Sequence, residues 1–163
     1  DSQRVGRLAG CTVYPEGYRL IRAASPHAAA QDENLRVDID QLKLPTDEPL
    51  VVEGAGGLMV PFAAAPIRWQ HELMQALRLP VLVVARTGLG TLNHSFLTHH
   101  ALQSRGLSCL GYILVGPPHA ENERDIARYT GTPVRARIDW CDDVEADFDT
   151  LATQLARDLE NQP

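Results

Sequence analysis

One carboxylate in this chain stands where a cation or a phosphate would want one. Pro49 to Phe62 reads PLVVEGAGGLMVPF, a short apolar run that ends in Glu53 and passes at once into a glycine-dense turn. An acid delivered by a strand to such a turn suits a phosphate or metal site, because Gly54, Gly56 and Gly57 allow positive φ and let a ligand approach the backbone closely. A buried, paired glutamate beside an ordinary turn has the same sequence shape. A second glycine-bearing turn, RTGLG at Arg86 to Gly90, precedes Thr91, Leu92 and Asn93, whose backbone N–H groups at a helix start would receive a carboxylate or a phosphate. Other chemistries lack their pattern. There is no GxSxG elbow, and His71–Glu72 opens an HExxH that Gln75 breaks. His94, His99 and His100 lack the i, i+4 spacing of paired ligands and read as surface or capping residues, with a metal site as the alternative, while Cys109 reads as core. No GxxxxGK[ST] loop occurs in these residues.

These groups need a scaffold. Leu50 to Val52 is apolar on both faces, as a parallel strand covered by helices on two sides must be, and Glu53 then sits at the carboxyl end where such sheets collect ligands. Leu79 to Ala85, Leu107 to Val115 and Pro133 to Ile138 read as further strands, the last an edge strand because of its two arginines. Between them lie helical patterns. Val5, Leu8 and Ala9 mark a short helix stopped by Gly10, with Asp1 at its start. Ser25 caps a helix whose first residue is Pro26, presenting Ser25 and His27 toward the site. Asp32 to Pro49 holds a short helix or turn and a surface loop, and Ala63 to Pro66 a loop. Trp69 to Leu77 is a helix, Thr91 caps one running to about Arg105, Glu121 to Tyr129 forms one ended by Gly131, and the last starts near Asp147. Alternating strands and helices predict an α/β fold, three layers α/β/α around a mainly parallel sheet, in a single domain over residues 1–163.

The bulk composition narrows the partners. A formal charge of -6 at pH 7 argues against nucleic acid or an anionic membrane surface. No apolar run is long enough to span a bilayer and no signal-peptide pattern is present, so a cytoplasmic location is expected. Cys11, Cys109 and Cys141 are widely spaced, without a CxxC pair, and read as reduced thiols. The chain opens at Asp1 without Met, and its first residues read as the middle of a fold, so an upstream segment is expected.

VVEGAGGLMVPF, LPVLVVARTGLGTLNHSFLT and GYILVGPPHAENERDIARYTGTPV, with SPHAAA ahead of them, occur in the order and spacing of one family. Together they make the chain resemble the dethiobiotin synthetase family from Asp1 to about the last helix. The resemblance implies a P-loop NTPase-like fold whose first strand, P-loop and following helix precede Asp1. It implies a Mg²⁺-dependent ligase: CO₂ and an amino group of 7,8-diaminononanoate form a carbamate, ATP phosphorylates it, and the neighbouring amine closes a ureido ring.

By motif, Glu53 matches the family's Mg²⁺ ligand and Asp1 its second acidic ligand, both beside the nucleotide. Gly54, Ala55 and Gly56 match the turn flanking the phosphates and the reacting carbamate. Ser25 and the stretch Leu89, Gly90, Thr91, Leu92 and Asn93 match substrate-binding positions, the latter receiving the substrate carboxylate across a homodimer interface. Val115 and Gly116, and the loop Asp139, Trp140 and Cys141, match the base-contacting segments. Val115 stands where many members have Asn, and Asp139 where Pro is usual, so backbone groups would make the base contacts. The alternative is a P-loop-less paralogue that binds the substrate or a partner subunit without catalysis.

Overall fold

Three of the apolar runs become strands of one parallel sheet, in the order β3 (Val81–Arg86), β4 (Cys109–Val115), β5 (Val134–Ile138). The register is close to flush at the carboxyl ends, with Arg86 opposite Val115 and Val115 opposite Ile138. The computed structural model describes residues 2–46 and 49–160. It forms two compact units, one drawn from residues up to Leu79, the other from Pro80 onward together with Arg7–Ala9.

In the second unit, helices α4 (Thr91–Ser104), α5 (Ala120–Thr130) and α6 (Val144–Glu160) flank the sheet. Tyr112, Leu114 and Ile126 are fully buried at its centre, with Val83, Leu92 and Val134 packed around them. The glycine stops fall as expected, since Gly106 and Gly131 both take φ 65, where a side chain would be strained. β5 lies at one edge of the described sheet, and α6 caps its backbone there: Gln154 donates to the Arg137 carbonyl at 2.9 Å and the Arg137 N–H donates to Asp158 at 3.4 Å. Satisfying an edge in this way keeps it from pairing with another chain. On β3 the face carrying Leu82 and Val84 is exposed.

Burial pushes the Tyr112 phenol up to about 12. A raised acid pKa in the folded state gives stability that is complete below the ordinary tyrosine value near ~10 and is lost as pH rises through about 12. Alkaline unfolding of this unit is therefore expected to coincide with the late rise of phenolate absorbance, and Tyr112→Phe to remove that coupling. A phenolate signal complete well before circular dichroism changes would refute it.

The first unit holds α2 (Pro26–Asp32), a 3-10 turn at Ile39–Gln41, an antiparallel hairpin of β1 (Pro61–Ala64) and β2 (Ile67–Trp69), and α3 (Gln70–Leu77). Its core is Ala30, Val37, Ile39, Phe62, Ala63 and Leu73. The helix α1 (Ser2–Ala9) ends at Gly10, which takes φ 60.

Several expectations need correction. Leu50 to Glu53 belongs to no ladder among the described residues, and Val51 is 95% exposed. An apolar run becomes a strand only when neighbouring backbone takes up its hydrogen bonds, and among the described residues none does. The stretch from Pro61 to Trp69, read partly as loop, is the β1–β2 hairpin, because burial of Phe62 and Ala63 against α2 outweighs the weak strand preference of Pro and Ala. Ser25 makes no side-chain cap bond; Pro26 and the Ser25 carbonyl, which accepts from Ala28 and Ala29, start α2 instead. His99 is buried rather than at the surface, with neither ring nitrogen hydrogen-bonded among the described residues, and desolvation lowers its pKa.

Candidate functional site

The turn after Glu53 is held from below by α3. Gly57 and Val60 close a backbone turn at 3.0 Å, and the first N–H groups of α3 then take its carbonyls, Gln70 to Val60 at 2.9 Å and His71 to Leu58 at 3.2 Å. Helix N-termini leave such donors without intrahelical partners, so this loop caps the helix while the helix fixes the loop. Glu72 completes the cap by accepting from the Trp69 N–H at 2.6 Å and from Arg68 at 2.9 Å, which gives the His71–Glu72 pair a structural explanation. Gln70 is 1% exposed and lies directly against Gly54: a Cβ on that glycine would stand 1.9 Å from the Gln70 amide nitrogen. The amide oxygen has no partner among the described residues. Gly56 takes φ 85, the only member of the turn that uses glycine's positive-φ region.

Above this support Glu53, Ala55 and Gly56 are exposed. No hydrogen bond or ion pair occupies the Glu53 carboxylate among the described residues, so the buried, paired glutamate that the sequence also allowed is not what forms. Ser25 is half-buried at the start of α2, and no hydrogen bond joins it to Glu53. His27 instead sits with Nδ1 3.2 Å from the Pro61 carbonyl, tying α2 to the hairpin. Asp1, the expected second metal ligand, lies outside the described residues. No cluster of three or more His, Cys, Asp or Glu suited to a metal occurs among the described residues. An exposed, unpaired carboxylate at a close-approach glycine turn still fits Mg²⁺, which takes one or two carboxylates and completes its shell with phosphate and water oxygens.

In the second unit the three strand ends converge. The Thr87 N–H donates to the Val115 carbonyl at 3.2 Å and the Gly116 N–H to the Ile138 carbonyl at 2.9 Å, extending the ladder one residue past each strand. Gly116 takes φ 135, and a Cβ there would stand 2.4 Å from the Thr87 hydroxyl oxygen, so this glycine is required twice over. Thr91 does not cap α4 as expected. The cap is Gly90 at φ 90, while the Thr91 hydroxyl donates back to the Arg86 carbonyl at 2.5 Å and its N–H to Gly88 at 3.1 Å. The first-turn donors left for an anion are therefore the N–H groups of Leu92 and Asn93, beside a fully exposed Leu89.

Sequence reasoning passed over three residues, two of which complete this region. Asn122 of α5 donates to the Thr87 carbonyl at 2.7 Å and so fixes the β3–α4 turn. Arg137 donates to the Gly116 carbonyl at 2.8 Å and pairs with Asp139 at 2.6 Å. Hydrogen bonding to Arg137 holds the Asp139 carboxyl below the usual carboxylate range. Trp140 is exposed and Cys141 half-buried as a free thiol. The third is Gln70, under the other turn. It was visible in principle, since a polar residue at position 70 shares its helical face with Leu73, Met74 and Leu77.

No helix among the described residues is long and apolar enough to cross a membrane. The pattern of the AAA domain family matches residues 1–147. An ATP-dependent dethiobiotin synthetase from Sphingopyxis alaskensis is 44% identical over 138 residues, 85% of this chain and 67% of that protein. Its counterpart from Rhizorhabdus wittichii is 42% identical over 160 residues, covering 96% of this chain and 75% of the relative. One from Nitrobacter hamburgensis is 46% identical over 130 residues, 77% of this chain, so the chain spans only 60% of that protein's length. Identity at this level over nearly the whole chain, on an α/β fold of the kind P-loop NTPases use, means that the chain belongs to the dethiobiotin synthetase family of ligases.

Proposed function

We propose that the chain carries the substrate-handling and base-contacting parts of a cytoplasmic, homodimeric ligase that makes dethiobiotin from 7,8-diaminononanoate, CO₂ and ATP. The observation that carries this reading is the 42% identity maintained across 96% of the chain with an ATP-dependent dethiobiotin synthetase. The local geometry supports it with a free carboxylate at a propped glycine turn and two unused N–H donors at the head of α4.

Glu53, with Asp1, would hold Mg²⁺, which when bound offsets the negative charge that phosphoryl transfer moves between oxygens. Gly54, Ala55 and Gly56 would let the carbamate and the phosphates lie against backbone rather than side chains. Ser25 would contact the substrate near its reacting amines. The N–H groups of Leu92 and Asn93 would take the far carboxylate of a substrate bound to the other protomer, with Leu89, Gly90 and Thr91 shaping that pocket. Val115, Gly116, Asp139, Trp140 and Cys141 would bound the base.

The intact protein, supplied with 7,8-diaminononanoate, bicarbonate, Mg²⁺ and ATP, is expected to release ADP and dethiobiotin in equal amounts. ADP release that is indifferent to the diamine, or none at all, would remove this reading.

A further inference from the structure

Two segments that touch one base must be held in fixed relation, and a single side chain does this here. Gly116 follows β4 and Asp139 follows β5; the backbone joins them through one bond, from the Gly116 N–H to the Ile138 carbonyl. Arg137 adds the rest. One guanidinium nitrogen donates both to the Gly116 carbonyl at 2.8 Å and to one Asp139 carboxylate oxygen at 2.6 Å, while the other reaches the second carboxylate oxygen at 3.4 Å. The arginine is itself anchored, its backbone N–H and carbonyl being taken by Asp158 and Gln154 of α6. On its other side the Gly116 peptide abuts Thr87. The fork therefore fixes the direction of the Gly116 carbonyl and of the Asp139 side chain together.

We infer that Arg137 is a positioning residue that locks the Gly116 peptide and the Asp139–Cys141 loop into the one arrangement in which both contact the nucleotide base. The inference rests on the reading of these segments as base-contacting. A partly exposed ion pair contributes little to stability, and here Arg137 is 21% and Asp139 57% exposed, so stability alone gives a weak account of the contact. A planar fork fixes distances and angles together, which a lysine cannot do.

Calorimetric titration of the intact protein with a non-hydrolysable ATP analogue and Mg²⁺ tests this. Arg137→Ala is expected to weaken binding about tenfold and to raise KM for ATP in parallel, with KM for the diamine unchanged and the melting temperature moved by no more than about 2 °C. Arg137→Lys, which folds with the charge kept, is expected to recover no more than about a third of the lost affinity. Affinities of both variants within about twofold of the unsubstituted protein, or full recovery by lysine, would overturn the inference while leaving the base site in place. If Trp140→Ala also leaves affinity untouched, the base lies elsewhere, and the reading beneath the inference fails with it.

Discussion

Glu53→Gln is expected to lower the rate of ring closure by about 100- to 1,000-fold, the range seen when a group that stabilises developing charge is removed. The same change is expected to leave the melting temperature within about 2 °C of the starting value, as surface substitutions commonly do. The two halves of the expectation come from one observation. Glu53 is exposed and carries no hydrogen bond or ion pair among the described residues, so nothing in the fold leans on its charge. Glutamine keeps the shape and one carbonyl oxygen but removes the negative charge that a hard cation requires. A loss of activity therefore reports on the cation rather than on folding. The Mg²⁺ concentration giving half-maximal rate should rise in the variant, with KM for the diamine much less affected. A Glu53→Gln protein that keeps more than about a tenth of the activity would show that the carboxylate is not a metal ligand, and the metal role of the turn would have to be abandoned.

The second unit was legible because its signals are local. Val81–Arg86 and Cys109–Val115 are apolar runs bounded by Gly and Pro, and the helices between them stop at glycines that take positive φ. The two arginines of β5 pointed to an edge, and that is where the strand lies. Local signals fail where long-range packing decides. Leu50–Val52 has the composition of a buried strand, but pattern alone cannot supply the neighbouring backbone on which a ladder depends. The β1–β2 hairpin has the opposite problem, with poor strand formers recruited by burial of Phe62 and Ala63. At the site, the glycines and the acid were legible because they are chemically conspicuous. Their supports were not. Arg137 resembled any edge arginine, and Asn122 any polar residue on a surface helix; only the fold brings them to the strand ends. Thr91 shows a subtler failure. Its type is that of a helix cap, but a glycine ahead of it can take φ 90 and a threonine cannot do so cheaply, so the cap shifts by one residue and the hydroxyl turns back to the Arg86 carbonyl.

Gly54→Ala is expected to cost about 2–3 kcal/mol of stability, the upper part of the range for forcing one extra carbon into a packed site, and most of the activity as well. The new Cβ would stand 1.9 Å from the Gln70 amide nitrogen and 3.0 Å from its Cδ, distances at which one group has to move. Gln70 has nowhere to swing, being 1% exposed. Nor can α3 retreat, because its first two N–H groups are committed to the Val60 and Leu58 carbonyls of the same loop. The turn itself must therefore shift, and a displacement of about 1 Å in a positioning element is enough to cost on the order of 100-fold in rate. The cause can be isolated with Gln70→Ala. Removing that side chain opens the space and also removes a buried amide oxygen that has no partner among the described residues, so the single change should be mild, since an unsatisfied buried acceptor is itself a cost of about 1–3 kcal/mol. In the double variant the alanine methyl at position 54 then has room. Its melting free energy is expected to lie at least about 1 kcal/mol above the sum of the two single effects, with part of the rate recovered. Additivity to within about 0.5 kcal/mol would mean that Gln70 does not carry the strain, and that the glycine is needed for its close approach to the ligand alone.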